Sequence, residues 1–295
     1  VPGNTKKTLW TETYKTEELP QVIQPKSGYF YNANHSPFLS TSKNENPKKD
    51  LFSKNMGFET YNNNRSTRLY KLIEEKKELD YNDFKKIKYD NYLPNPLSYS
   101  WMDINALFDI NPNKYPEISN ILIQIQKWDR KTDADSYGAG AYAIFYLKLR
   151  KYYRQIPEPK IFPKTFLIEA LKETKKHMLK FFGKEKVKLG EFQKLVRGSK
   201  EIPIFGLRDV ITAMSSVPYK KGKTRVTAGE SYIELIKFTK DGPEIESVIS
   251  YGSSDNRDSP HFDDQMEIYS IFKTKKMSLK KEKVLLNAKK IYNPK

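Results

Sequence analysis

The chain contains no cysteine, so it forms no disulfide bond and offers no thiolate as a nucleophile. Its three histidines are His35, His177 and His261, which leaves few residues that can serve as the base of a self-contained hydrolytic triad. No apolar run approaches the roughly 18 residues that cross a membrane as a helix. These absences exclude cysteine hydrolases and disulfide scaffolds, and they predict a chain without a membrane span.

The composition is polar for a self-contained globular protein. Of the 295 residues, 37% are hydrophobic and 30% are charged, and the mean hydropathy is -0.76. A chain of this length can bury a sizeable core. Two interpretations of its polarity remain open. Either part of its apolar surface faces a partner, or a composition rich in lysine and asparagine simply makes the surface polar.

The net charge of +17 raises nucleic acid as a partner. The lysines, however, are spread along the whole chain, and many stand beside glutamates, as in residues 74–77. There is no zinc-finger spacing, no glycine-rich RNA-binding strand and no basic stripe with regular aromatic residues. The sequence therefore disfavours nucleic acid. A non-catalytic basic module that binds nucleic acid or acidic glycans is the alternative function.

The spacing of apolar residues predicts an α+β chain in three parts. Residues 1–64 are a strand-and-loop segment, residues 65–200 a helical lobe, and residues 201–295 a hairpin followed by helices. The predicted elements within these parts are a strand at 28–33, a helix from Arg65 capped by Asn64, a helix at 134–153 that is apolar on all faces, an amphipathic helix at 165–182 with His177 on its surface, and a hairpin of 232–238 with 246–250.

Two asparagines stand out chemically. In the predicted strand, Asn32 and Asn34 share one face, because side chains alternate along a strand. An amide NH2 group is a neutral donor that suits a developing oxyanion, and Arg65 would be a fixed positive charge that orients the amide. The alternative is that both asparagines cap a turn before Pro37.

A second cluster surrounds His261. It is followed by Asp263 and Asp264, so the segment could form a metal site or an acid–base site. The alternative is a structural clamp, in which His261 and Asp264 hold the loop at the junction of a strand and a helix.

Four stretches, in the right order, resemble the C-terminal half of the β-chain in the penicillin acylase family of N-terminal-nucleophile hydrolases. The first stretch comprises Trp10, 19–20, 25–29 and 34–38; the second comprises 56–59 and 64–69; the third comprises 128–130, 134–136, 138 and 139; the fourth comprises 229–232, 251–254 and 259–265. Each stretch is short, but their shared order along nearly the whole chain is specific.

The resemblance implies roles for individual residues. Asn34 corresponds to the asparagine of the oxyanion hole, and Arg65 to the arginine that positions it and the substrate. Asn32, His261 and Asp264 are expected behind these two rather than against the substrate. No cofactor is required, but the resemblance implies a structural calcium ion for which Asp50 is a candidate ligand.

The resemblance also implies what this chain does not carry. The nucleophile of the family is a serine at the start of the β-chain, whose own α-amino group acts as the base. This chain starts with Val1, so the expected partners are an α-chain and the N-terminal part of the β-chain. The expected fold is the C-terminal part of an αββα sandwich with a large helical lobe. The expected whole protein is an exported amide acylase, periplasmic or extracellular, although no signal peptide is visible; this chain alone is expected to be inactive.

Overall fold

The computed structural model describes residues 2–286, 288, 290 and 291, and these residues form both helices and sheets. Val1 lies outside them, as does the end of the predicted third part. The helices are α1 (Asn64–Glu74), α2 (Tyr81–Lys88), α3 (Ser119–Gln126), α4 (Tyr137–Leu149), α5 (Lys164–Phe182), α6 (Leu189–Phe192), α7 (Met266–Ser270) and α8 (Lys281–Leu286). The strands are β1 (Gln193–Arg197), β2 (Lys200–Pro203), β3 (Met214–Pro218), β4 (Thr224–Gly229), β5 (Tyr232–Thr239), β6 (Gly242–Ile249) and β7 (Lys275–Met277).

The first part of the chain is irregular, and the predicted strand at 28–33 is wrong. Gly28 has a φ of 76°, and no described segment pairs with residues 28–33 as a strand. The N–H group of Tyr31 donates instead to the carbonyl of Ser40, at 2.8 Å, across a loop. An alternating pattern forms a strand only where a second strand satisfies its backbone groups.

The helical lobe packs around α4, which is buried on nearly all sides, as its apolar composition predicts. Helices α3, α5 and α6 all contact it. The predicted surface position of His177 on α5 is wrong: this side chain is buried, contacts the rings of Phe181 and Phe192, and donates from Nε2 to the carbonyl of Gly222 at 2.7 Å.

Two separate sheets follow the lobe. The first has the strand order β2-β1-β4-β3, with β1 and β4 parallel, and the second has the order β5-β6-β7. The predicted hairpin is present as β5 and β6, which are joined at the pair Thr239 and Gly242. The α+β class predicted from the sequence is therefore confirmed, whereas the three-part division stays a prediction.

A loop after β2 connects the two hydrophobic clusters of the chain. Ile204 and Phe205 are buried in the cluster that side chains of the two sheets and α7 form. Leu207 and Val210 are buried in the cluster of the helical lobe. Asp209 lies between these anchors with a φ of 66°. Because apolar side chains on both sides are buried, the backbone of this loop is fixed where it meets the start of α1.

The tight contact of α4 with the segment before α6 gives a test of the core. A Cβ atom on Gly140 would lie 2.0 Å from the carbonyl oxygen of Val187. Helix propensity favours alanine over glycine by about 1 kcal/mol, but overpacking costs about 1–3 kcal/mol or more. We expect Gly140→Ala to lower the free energy of unfolding in urea, by roughly 2 kcal/mol.

The matched control is Gly3→Ala, because nothing lies within 4 Å of a Cβ atom at Gly3. It should leave the urea midpoint unchanged. An unchanged or higher midpoint in Gly140→Ala would contradict the close packing of α4.

Candidate active site

The segment around Asn34 is a tight turn rather than a strand. Asn34 has a φ of 54°, and its N–H group donates to Oδ1 of Asn32 at 2.8 Å. This is the turn chemistry that asparagine side chains favour. The Asn32 side chain therefore holds the turn, while the Asn34 side chain is exposed at its tip.

The ring of His35 fixes this turn from the inside. Its Nδ1 accepts from the N–H group of Ala33 at 3.1 Å, and its Nε2 donates to the carbonyl of Leu39 at 2.9 Å. This pattern requires the neutral ring with a proton on Nε2. The ring also stacks on Tyr31, with 4.9 Å between centroids. Burial lowers the pKa of His35, and the nearby charge of Arg65 acts in the same direction.

Asn63 joins the turn directly to the start of α1. Its Oδ1 accepts from the N–H group of Ser66 at 2.9 Å, which makes Asn63, rather than the predicted Asn64, the N-cap of the helix. Its Nδ2 donates to the carbonyls of Ala33 and Asn34, at 3.0 and 3.1 Å. One buried side chain therefore fixes both the helix start and the backbone of the turn.

Arg65, in the first turn of α1, bridges the turn to a buried carboxylate. Its Nη1 donates to Oδ1 of Asn34 at 3.1 Å, and its Nε donates to Oδ1 of Asp209, also at 3.1 Å. A guanidinium group has donors and no acceptor, so the Asn34 atom that faces it must be the amide oxygen. The NH2 group of Asn34 therefore points away from Arg65.

Asp209 was not found from the sequence. It is 5% exposed, and its Oδ2 accepts from both the backbone N–H and the Nδ2 of Asn64, each at 2.9 Å. Burial raises the pKa of the Asp209 carboxyl, while the bonds from Asn64 and Arg65 act in the opposite direction. Its partners lie about 145 residues earlier in the chain, and no local motif marks it.

Chemically, this arrangement is a neutral hydrogen-bond donor supported by a paired cation. The charge of Arg65 is balanced by Asp209 at 3.1 Å, so the tip of the turn presents an amide rather than a free charge. A fixed N–H donor of this kind is suited to the negative charge that develops on a carbonyl oxygen during acyl transfer.

His261 and Asp264 form a separate pair. Nδ1 of His261 lies 2.8 Å from Oδ2 of Asp264, and both side chains are exposed. Their loop is held by Arg197, which donates to the carbonyls of Phe262 and Ser254 at 2.7 and 2.8 Å. Among the described residues, no hydrogen bond or ring contact joins this pair to Asn34 or Arg65. Their supporting role stays a prediction.

Asp50 lies in a short exposed 3₁₀ turn, Lys49–Leu51. Within the described part of the chain, no group of three or more His, Cys, Asp or Glu side chains is arranged to hold a metal ion. The structural calcium ion stays a prediction, and it requires ligands in addition to Asp50.

A sequence model of the family described as penicillin amidase matches residues 1–285. The chain belongs to the penicillin amidase family. It is 35% identical over 86 residues to the acyl-homoserine lactone acylase PvdQ of Pseudomonas syringae pv. syringae. These aligned residues make up 28% of this chain and 11% of that protein. The acylase of the same name from Pseudomonas putida is 36% identical over 61 residues, 21% of this chain and 8% of that protein.

Among solved structures, a thermostable penicillin G acylase from Alcaligenes faecalis is similar over 92% of this chain and 58% of that one, with a TM-score of 0.45 and 14% identity. The penicillin amidase family is one of amide hydrolases. The aligned part of the chain spans only a small part of the length of the PvdQ relatives. None of the helices in the described residues is long and apolar enough to cross a membrane.

The ring of His35 gives a pH test of the turn. Because its pKa in the folded state is lowered, folding favours the neutral ring. The resulting stability is present above about pH 6.5, the pKa of an unperturbed histidine, and is lost as the pH falls through the lower pKa of the folded state.

We therefore expect the free energy of unfolding to fall less between about pH 7.5 and about pH 5 in His35→Asn than in the unsubstituted chain. Urea unfolding at both pH values measures this, and NMR titration of the ring gives the pKa directly. Equal losses in both proteins, or a His35 pKa at or above the ordinary value, would contradict this account of the turn.

Proposed function

We propose that this chain supplies the oxyanion-stabilising half of the reaction centre of an amide acylase. The observation that carries the proposal is the bridge of Arg65 between Asp209 and Asn34, which leaves the Asn34 NH2 group free to donate at the surface. Membership of the penicillin amidase family supports amide hydrolysis as the reaction. The proposed substrate is a small molecule in which an acyl group is linked to an amine.

In the proposed reaction, a serine hydroxyl attacks the acyl carbon and loses its proton to the base. Negative charge then develops on the carbonyl oxygen, and the NH2 group of Asn34 donates a hydrogen bond to it. Arg65 holds the amide oxygen of Asn34 and polarises the amide toward donation. Collapse of the tetrahedral intermediate releases the amine, which takes up a proton, and water then hydrolyses the acyl-serine ester.

The nucleophile is proposed to lie on sequence outside this chain. Ser36, two residues after Asn34, and Ser66, the residue after Arg65, are 1% and 0% exposed. The hydroxyl of Ser66 accepts from the N–H group of Asn63 and donates to the carbonyl of Asn63 at 3.0 Å, and the hydroxyl of Ser36 accepts from the N–H group of Phe38. Both hydroxyls are occupied by local structure and are closed to a substrate.

The proposed partners are an α-chain and the N-terminal part of the β-chain of the same precursor, and the proposed location is periplasmic or extracellular. Exposed apolar side chains in the first part of the chain support such a partner. Trp10 is 92% exposed, and Ile23 and Phe30 are each 75% exposed. Contiguous apolar surface marks contact regions, and we propose that these side chains become part of one with the partner. On this proposal, the isolated chain has no acylase activity.

Removing the donor tests the role of Asn34. In the full-length protein, we expect Asn34→Ala to lower kcat for a p-nitrophenyl amide about 10²–10³-fold, the usual loss for one oxyanion-hole donor. The protein should still fold, because the side chain is exposed.

The control is Asn55→Ala, another exposed asparagine in the first part of the chain, which should keep the rate. An unchanged rate in Asn34→Ala would mean that Asn34 acts only as a turn residue. Turnover by the isolated 295-residue chain would reject a nucleophile located elsewhere.

Replacing the guanidinium group tests the bridge. The point charge of lysine cannot hold two acceptors in one plane as the fork of Arg65 does. Since hydrogen bonds to charged groups contribute about 1.5–3 kcal/mol, we expect Arg65→Lys to lower kcat roughly 10- to 100-fold.

The matched control is Arg68→Lys. Arg68 lies one turn further along α1 and forms its own two-bond pair with Asp90, at 3.0 and 2.6 Å. This variant should lose stability but keep kcat. An equal loss of kcat in both variants would assign the effect to helix stability instead of to the bridge.

The salt dependence of nucleic-acid binding distinguishes the alternative, a basic binding module, from the proposed acylase. Many lysines are paired within the chain, as in the Lys175–Glu185 and Lys223–Glu201 pairs. Binding to phosphates weakens by about 0.9 log unit per log unit of salt for each phosphate neutralised. We expect no such binding to duplex DNA; tight binding with a steep slope would favour the alternative.

A further inference from the structure

A cavity of about 660 Å³ lies at the C-terminal end of α4, and neither Asn34 nor Arg65 lines it. Its walls come from α4, from the following 3₁₀ helix Arg150–Gln155, and from two loops. Four aromatic side chains form much of its surface: Trp101, Tyr146, Tyr153 and Phe162.

The cavity is lined by cations and by no carboxylate. Arg150, Lys151, Arg154 and Arg208 all contribute to it. Lys151 is neutralised by an ion pair with Glu173. For the three arginines, in contrast, the described residues provide no carboxylate partner within salt-bridge distance. Arg65 and Arg68 do have such partners, whereas the cavity brings together three arginines that have none within the described residues.

The arginines lie beside apolar surface. The guanidinium carbon of Arg208 is 5.1 Å from the centroid of the Trp101 ring, a cation–π distance. A smaller recess of about 60 Å³ adjoins the cavity and shares Tyr146, Leu147, Arg150 and Arg208 with it. This recess is lined mainly by apolar atoms, including those of Tyr142 and Phe192. The site therefore offers positive charge beside an aromatic wall.

We propose that this cavity binds a small aromatic carboxylate. Planar guanidinium groups match a carboxylate with two parallel hydrogen bonds, and the ring of such a ligand would stack on the aromatic wall. An inorganic anion would use the arginines but leave the aromatic surface exposed to water, and a neutral aromatic molecule would leave the charges unpaired. The proposal does not depend on the role of Asn34.

The test measures binding of benzoate to the 295-residue chain by calorimetry, with inorganic phosphate and benzyl alcohol as comparison probes. We expect one saturable site for benzoate, and binding at least tenfold weaker for each comparison probe. The indole N–H signal of Trp101 in NMR spectra should shift with the same saturation curve.

The variant Arg150→Gln/Arg154→Gln should weaken benzoate binding at least tenfold. Both side chains are exposed, so the fold should be retained, and urea unfolding checks this. The matched control is Arg225→Gln, an exposed arginine of β4 outside the cavity, which should bind benzoate normally. Arg208 is not substituted, because it is the sequence neighbour of Asp209, which pairs with Arg65 in the proposed reaction centre.

Three results would overturn the proposal. The first is the absence of saturable benzoate binding, or binding that the double variant does not weaken. The second is phosphate binding as tight as that of benzoate, which would indicate a simple anion site. The third is binding of a glutamate-rich peptide that benzoate does not displace, which would indicate that the cavity docks an acidic protein segment.

Discussion

The interaction on which the rest of the site depends is the fork of Arg65 between Asp209 and Asn34. It joins three segments that are far apart in the sequence: the turn at 32–36, the first turn of α1, and the loop after β2. Asp209 is 5% exposed, and a carboxylate at that depth is tolerated only when it is paired and hydrogen-bonded. The same contact therefore stabilises the fold and orients the amide of Asn34, so the stability of the chain and the geometry of the turn both depend on it.

The arginine of the turn and the arginines of the cavity differ in whether a carboxylate balances their charge. At the turn, Asp209 balances Arg65, and what reaches solvent is the neutral amide of Asn34. Such a site stabilises charge as it develops on a neutral carbonyl and gives little attraction to a ready-made anion. At the cavity beside α4, the guanidinium groups lack acidic partners, and there the favoured ligand is one that already carries a negative charge.

The sequence predicted those features that depend on local pattern. The uniform apolar composition of α4 and the two alternating runs of the hairpin were sufficient to place these elements. The predicted strand at 28–33 failed because its alternation had no partner strand. His177 was assigned to the surface from its lysine neighbours, yet it lies three positions after Thr174 and seven after Ala170, on the buried stripe of α5. The helical period was therefore a better guide than the flanking charges.

The site was predictable only in part, for a reason of chain topology. The pairing of Asn34 with Arg65 was suggested by chemistry and by resemblance, and the two residues are 31 positions apart in the sequence. Asp209 follows them by about 145 residues in a loop without a motif. Asp209 is held in position because Leu207 and Val210 are buried in one hydrophobic cluster and Phe205 is buried in the other. This is a tertiary constraint that no local pattern contains.

The two interpretations of Asn34, turn residue and hydrogen-bond donor, are both satisfied by one conformation. A φ of 54° is costly for most side chains, and asparagine is among the few that tolerate it. That backbone conformation exposes the side chain at the tip of the turn, within reach of Arg65. Aspartate would fit the same backbone, but its carboxylate would accept from Arg65 and present a negative charge where the proposed reaction needs a donor. Glycine would keep the turn and lose the donor. Asparagine alone meets the backbone requirement and the chemical one together.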